Sequence, residues 1–249
     1  MSSFMWWELI FVIGIFIIGS FVQGASGFGF GLVAMGMLPI MFSLKDSTLL
    51  VMSLTLILSL NILSKIYKYI EWRSLFIILS GAFVGRLMAF FFLTTYGEMD
   101  FLKKWLGVFL VLLVLYLFFK KDRQVSEVWM KPIVPVLLGS LGGFIGGVFA
   151  VGGPFFVFYF LLLYQDKRKY NANLQATFFL TSLFTLILHG SHGDINTSFY
   201  LYFIVGIGSV FLGSTLGLKW FDRLPQALIK KLAMSLVLLA ALNLILFNS

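Results

Sequence analysis

Gly24-Ala25-Ser26-Gly27-Phe28-Gly29-Phe30-Gly31 sits in the middle of a segment, Leu9 to Leu44, that contains no Asp, Glu, Lys or Arg. A second uncharged segment, Pro132 to Gln165, carries Gly142-Gly143-Phe144-Ile145-Gly146-Gly147 and then Val151-Gly152-Gly153-Pro154. Fourteen of the 24 glycines fall in these two segments. Each glycine weakens a helix by about 1 kcal/mol relative to alanine. The weakest backbone therefore lies in the most apolar surroundings, twice.

The surroundings are those of a membrane protein. The 249 residues are 60% hydrophobic and 11% charged, with mean hydropathy +1.02. Several uncharged runs exceed the roughly 18 residues that mark a transmembrane helix. The net charge of +8 is what cationic loops on one side of a membrane produce, so no nucleic-acid partner is expected. With no cysteine, disulfides, thiolate metal sites and cysteine nucleophiles are excluded. Met1 to Glu8 lacks the basic start of a cleavable signal peptide.

Further apolar spans run over residues 47–64, 74–95, 105–119, 171–188 and 199–218, with a last one ending at Phe247. As straight helices the two glycine segments would be about 54 and 51 Å long, against a hydrocarbon core of roughly 30 Å. Either they tilt steeply, or each breaks at its glycines and folds back. Charge decides. If both fold back, the loops at 65–73, 120–131, 166–169 and 219–231 share one side and hold fourteen Lys/Arg, against Lys45, Lys103 and Lys104 on the other. Single crossings would split the cations seven to ten with no bias. The positive-inside rule selects fold-back.

That choice implies an all-α polytopic membrane protein of two inverted repeats. Each repeat is a broken or fold-back glycine-rich helical segment plus three transmembrane helices. The first repeat covers 1–120, a cytoplasmic linker 121–131, and the second repeat 132–249, with both termini outside the inner (plasma) membrane. A shift of 123 residues carries Gly19 onto Gly142, Gly24 onto Gly147, Gly29 onto Gly152 and Gly85 onto Gly208. Inverted repeats with interrupted helices in corresponding places are the architecture of secondary transporters, with substrate near the midplane.

Gly24 to Gly31 is no dinucleotide loop, since no strand and no soluble βαβ unit surrounds it. Gly81/Gly85 and Gly213/Gly217 have the small-xxx-small spacing of close helix packing. Gly24, Gly27, Gly29 and Gly31 point in several directions, which favours a broken helix. Free N–H groups at a half-helix N-terminus attract anions, and two facing breaks with the Ser26 hydroxyl between them suit a small oxyanion. Gln23, Asn61, Gln175 and Thr177 are polar residues within spans and are expected to face the bundle interior. Asn171 and Asn173 read as helix-cap or headgroup residues. Arg86 is the one charge within a span, and its two readings are snorkelling to the interface and facing an internal cavity. His189 and His192, with Asp194, read as a polar loop and as candidates if a proton couples to transport. Phe28, Phe30, Phe155 and Phe156 read as packing beside the breaks, with hydrophobic gates as the alternative. No Ser–His, paired-Asp or His-Glu-x-x-His set lies within a span, so an enzyme is not expected.

The stretches GASGFGFGLVAM (24–35) and GGFIGGVFAVGGPFFV (142–157) resemble the paired signature of the TauE/SafE family, the sulfite-exporter or sulfonate-permease group. The resemblance covers the whole chain. It implies a membrane protein that moves sulfite, sulfonates, thiosulfate or related anions, and it places the family's glycine motifs on Gly24 to Gly31 and on Gly146, Gly147, Gly152, Gly153 and Pro154. Ser47-Thr48 stands where the family has a Thr-Ser pair.

The expected substrate-binding set is Gln23, Gly24, Ala25, Ser26, Gly27, Phe28, Gly29, Asn61, Arg86, Gly147, Ala150, Val151, Gly152, Gly153 and Gln175. The expected activity is secondary transport of a small sulfur-containing or organic oxyanion by alternating access, with an anion-selective channel through the same breaks as the alternative. The partners are the small anion and the lipid bilayer, and a homodimer is left open. No cofactor and no metal are expected, and the coupling ion, proton or sodium, is left open.

Overall fold

The computed structural model describes residues 3–119, 133–194 and 197–220, together with 235, 237, 238, 241, 242 and 244–246. The expected linker 121–131, the cations of the loop beyond Trp220 and the chain termini lie outside the described residues. Among the described residues the structure is helical, and five helices are long and apolar enough to cross a membrane.

Helix α1, Ser3–Ser26, is followed at once by the short α2, Phe30–Met37. Pro39 then sits in a 3-10 turn, Leu38–Ile40. Helix α3, Leu44–Ile66, starts at Ser43, whose hydroxyl accepts from the Asp46 N–H at 3.1 Å, a side-chain N-cap. Helices α4, Trp72–Tyr96, and α5, Phe101–Phe119, follow. The second glycine segment forms α6, Ile133–Phe149, and α7, Gly153–Leu163. Asp166 caps α8, Lys167–His192, accepting from Arg168 and Lys169 N–H at 2.7 and 3.0 Å. The backbone donors of Lys169 and Arg168 hold its carboxyl below the usual carboxylate range. Gly193, at φ 80°, ends that helix in the left-handed conformation. Helix α9 spans Thr197–Trp220.

Both glycine segments break where the sequence places the break, and the chain reverses there. Phe30 packs back on Gly19 and on Phe16, with ring centroids 6.1 Å apart. Gly152 lies on the Gly142 carbonyl. The limbs are unequal, however. Helix α1 has 24 residues, about 36 Å, so it is long enough to reach across the hydrocarbon core, while α2 is a return of 8 residues. Gly24, expected to belong to the break, lies within α1.

Small residues set the helix pairing, because a missing Cβ lets two backbones approach. Helices α1 and α9 run parallel: Ile17 and Ser20 meet Gly213, and Gly24 meets Ser214 and Gly217. Helices α4 and α6 also run parallel: Gly81 meets Val136, Gly85 meets Ser140 and Phe144, and Ala89 meets Gly147. These two pairs make the most extensive helix contacts in the fold. Helices α3 and α8 cross the middle antiparallel, with Ser182 at Met52 and Ser59 at Gln175. Around them Phe16, Phe30, Met35, Leu54 and Leu58 form the largest apolar core. Trp7, Phe76, Phe91, Trp105 and Ile204 remain exposed at the rim, the surface that lipid covers in a membrane protein.

Candidate functional site

Breaking a helix inside an apolar bundle strands backbone groups that water cannot reach, so protein must satisfy them. At the first break Gly27 and Gly29 take φ of 88° and 125°, a region open to glycine and costly for other residues. The freed Gly27 carbonyl accepts from Gln175 Nε2 at 2.6 Å. The same Nε2 lies 2.9 Å from Asn171 Oδ1, while Gln175 Oε1 accepts from Gln23 Nε2 at 3.0 Å and Ser59 Oγ at 3.2 Å. Both donors and both acceptor sites of that one buried amide are thus in use. Ser26 Oγ lies 2.8 Å from the Val22 carbonyl and 2.7 Å from that of Phe28. Its hydroxyl serves the chain's own carbonyls, where an opening between the breaks was expected.

At the second break Ala150 takes φ 54°, the one non-glycine residue with positive φ among those described. Thr48 Oγ1 donates to the Val148 carbonyl at 2.8 Å. The breaks touch each other: a Cβ added to Gly31 would overlap the Ala150 carbonyl oxygen. Between them lies a cavity of about 30 Å³, above the roughly 10–15 Å³ that one water needs.

Of the expected substrate-binding set, Gln23, Phe28, Gly29, Arg86, Ala150, Val151, Gly152 and Gly153 line this cavity, joined by Gly31, Pro154 and Phe156 from the same motifs. Gln175 stands one residue behind it, through Gln23. Gly27 is held against Asn171 and Tyr170. Gly24 and Ala25 face α9, and Gly147 faces Ala89. Asn61 lies elsewhere, its Nδ2 donating to Ser214 Oγ at 2.9 Å. Asn171 and Asn173 are buried within α8, not at a cap: Asn173 Oδ1 accepts the Glu71 N–H at 3.0 Å and its Nδ2 donates to the Lys169 carbonyl at 2.8 Å.

Arg86 does not snorkel. It is 3% exposed, and Nη1 lies 3.3 Å from Met52 Sδ and 3.3 Å from Thr185 Oγ1, with Nη2 3.4 Å from Thr181 Oγ1. Its Nε has no partner, and among the described residues no carboxylate lies within ion-pair distance of the guanidinium. This buried cation, surrounded by neutral oxygens and one sulfur and without a counter-charge among the described residues, lines the cavity.

Sequence reading missed Leu32, Met52, Thr55, Phe178 and Ser182 on the cavity wall, and Thr181 and Thr185 at Arg86. A signal for the last two was present. Asn173, Thr177, Thr181, Thr185 and His189 recur every fourth residue and are all buried, one polar stripe along one face of α8. At the end of that stripe Asp194 accepts from Lys45 and His189, each at 2.6 Å. Burial pushes the Asp194 carboxyl up, but hydrogen bonds from Lys45, His189 and His192 outweigh it and bring it down to about 2. No group of three His, Cys, Asp or Glu able to hold a metal occurs among the described residues.

A family model described as sulfite exporter TauE/SafE matches residues 11–244. No curated protein and no solved structure matches the chain. The matched stretch contains both helix breaks, Arg86 and every residue that lines the cavity, and the chain belongs to the sulfite exporter TauE/SafE family, membrane transporters of sulfur anions.

Proposed function

We propose that the protein is a secondary transporter of a small sulfur-containing or organic oxyanion of the sulfite, sulfonate or thiosulfate type. The anion sits in the cavity between the two breaks. The observation that carries this is Arg86, a buried guanidinium without a carboxylate beside a cavity. Gly29 and Gly152 precede α2 and α7 at that cavity, so the partial positive charge of two half-helix N-termini adds to that of Arg86. Gln23, Phe28 and Ala150 to Gly153 complete the anion's surroundings. Gln175 positions Gln23 and the Gly27 carbonyl, whereas Gly24, Ala25, Gly147 and Asn61 act through helix packing.

Alternating access between inverted repeats is the mechanism that fits this arrangement. A shift of 123 residues carries the end of α1 onto the end of α6, and the starts of α2 and α3 onto those of α7 and α8. It also carries the positive-φ Gly27 onto the positive-φ Ala150. The α1–α9 and α4–α6 pairs exchange under the same shift, and antiparallel α3 and α8 exchange with each other. The charge count then puts the ends with Lys65, Lys68 and Arg168 in the cytoplasm, across a plasma membrane.

The test is thermal stabilisation of the purified protein by sulfite, thiosulfate, sulfonates, carboxylates and sulfate. A true ligand at 100 times its Kd stabilises by about 2.7 kcal/mol, and Arg86→Gln removes that rise. An R86Q protein that binds as the wild type does overturns the site. In liposomes the expected flux saturates and shows counterflow, and linear flux without counterflow would indicate a channel.

A further inference from the structure

Where α3 begins and α8 ends, one carboxylate gathers three nitrogens. Asp194 takes Lys45 Nζ at 2.6 Å and His192 Nδ1 at 3.2 Å on one oxygen, and His189 Nδ1 at 2.6 Å on the other. The Asp194 and His189 side chains are 5% and 1% exposed, that of His192 57%. Facing an ionised Asp194, Nδ1 of neutral His189 carries the ring hydrogen, which leaves Nε2 as a bare acceptor. That Nε2 is buried and has no hydrogen-bond partner. That vacant lone pair is the position on the ring at which a proton can add.

Position gives the second observation. His189 is the next residue after Thr185 in the four-residue stripe of α8, one turn or about 5.4 Å further along. Thr185 and Thr181 are the residues that accept from Arg86. The titratable and charged groups around His189 are Asp194 from the following loop, His192 from its own helix and Lys45 from α3. Helix α4 presents the Phe90 ring, 4.8 Å from the imidazole between centroids, and Arg86 on the far side of Thr185. The charges of Lys45 and Asp194 cancel, so a proton on His189 makes the stripe more positive by one full charge. An oxyanion at Arg86 offsets that charge.

We propose that His189 is a proton-binding site of the transporter, and that a proton on it and an oxyanion at Arg86 stabilise one another. The step is a simple protonation: the Nε2 lone pair takes a proton from water, imidazole becomes imidazolium, no other bond changes, and the proton returns to water when the anion leaves. This rests on the cavity at Arg86 being the anion site. Charges about 10 Å apart at an effective dielectric constant of about 20 change each other's affinity by roughly tenfold. Affinity for the anion therefore falls as pH rises and the proton is lost.

The experiment uses the full purified chain with thiosulfate and ethanesulfonate, whose own charge is constant between about pH 5.5 and 8. Binding is expected about tenfold tighter at pH 5.5 than at pH 8, and anion addition in weak buffer should draw protons from solution. H189Q should bind with a flat pH profile, and H192Q should keep the slope. A slope that survives in H189Q, or wild-type binding that is pH-independent with no proton uptake, overturns the proposal. Absent binding at every pH, or binding indifferent to R86Q, overturns the anion site and this proposal with it. That pattern differs from Arg86-dependent binding that ignores pH. Should H189Q not fold, proton uptake by the wild type decides.

Discussion

The two helix breaks do the same geometric job with different materials. The first spends two positive-φ glycines, Gly27 and Gly29, and its stranded carbonyl is held by the Gln175 amide, itself tied to Gln23, Ser59 and Asn171. The second turns through Ala150 and is held by one hydroxyl, Thr48 on Val148. A single side chain therefore concentrates the support of the first break, while the second depends on backbone contact: Gly152 against Gly142, and the Ala150 carbonyl against Gly31. The difference teaches that a broken helix can be stabilised through a side-chain hub or through close backbone packing, and that the two respond differently to substitution.

Gln175→Leu should break the comparison open. It keeps the volume but leaves the Gly27 carbonyl, Gln23, Ser59 and Asn171 each short of a partner. Unsatisfied buried groups cost about 1–3 kcal/mol each before relaxation, so a net loss of about 3 kcal/mol is expected in denaturant titration of the purified protein. Thr48→Val removes one hydrogen bond at almost constant shape. Such bonds in membrane bundles contribute about 0.6 kcal/mol on average, and the expected loss is about 1 kcal/mol in the same assay. Equal losses for the two variants would erase the distinction between hub and backbone contact. Ala150→Gly has the smallest effect and the opposite sign. Relief of the left-handed conformation, roughly 1–2 kcal/mol, outweighs the lost methyl contact, for a gain of about 0.5 kcal/mol. A destabilised A150G would mean that the methyl group, not the backbone angle, sets that position.

What the sequence revealed follows from what each signal encodes. Glycine density and charge bias report on backbone freedom and sidedness, so the breaks at Gly27 to Gly29 and Ala150 to Gly152 were readable. Gly24 reads as part of the break because its partner, Ser214 on α9, is 190 positions away and a linear pattern does not name it. Gly81 and Gly213 were read as packing residues from their spacing, which holds whatever the partner is. Arg86 had a known depth in its span but no known azimuth, and only the packing of α4 on α8 turns it towards Thr181 and Thr185. The polar stripe of α8 was in plain view at a spacing of four. Along the chain, His189 stands beside the polar loop residues His192 and Asp194, and only the helical period of α8 joins it to Thr185 and so to Arg86.

The pairing of α1 with α9 and of α4 with α6 has a mechanical consequence. Each pair joins a helix from before the 120–132 region to one from after it, through contacts with no room for a methyl group at Gly24, Gly85, Gly143 or Gly217. Such seams resist being pulled apart. The most closely packed units are then hybrids of the two halves. Covalent order and packing order differ in this molecule: the helices of its two sequence halves are interlaced like the fingers of clasped hands.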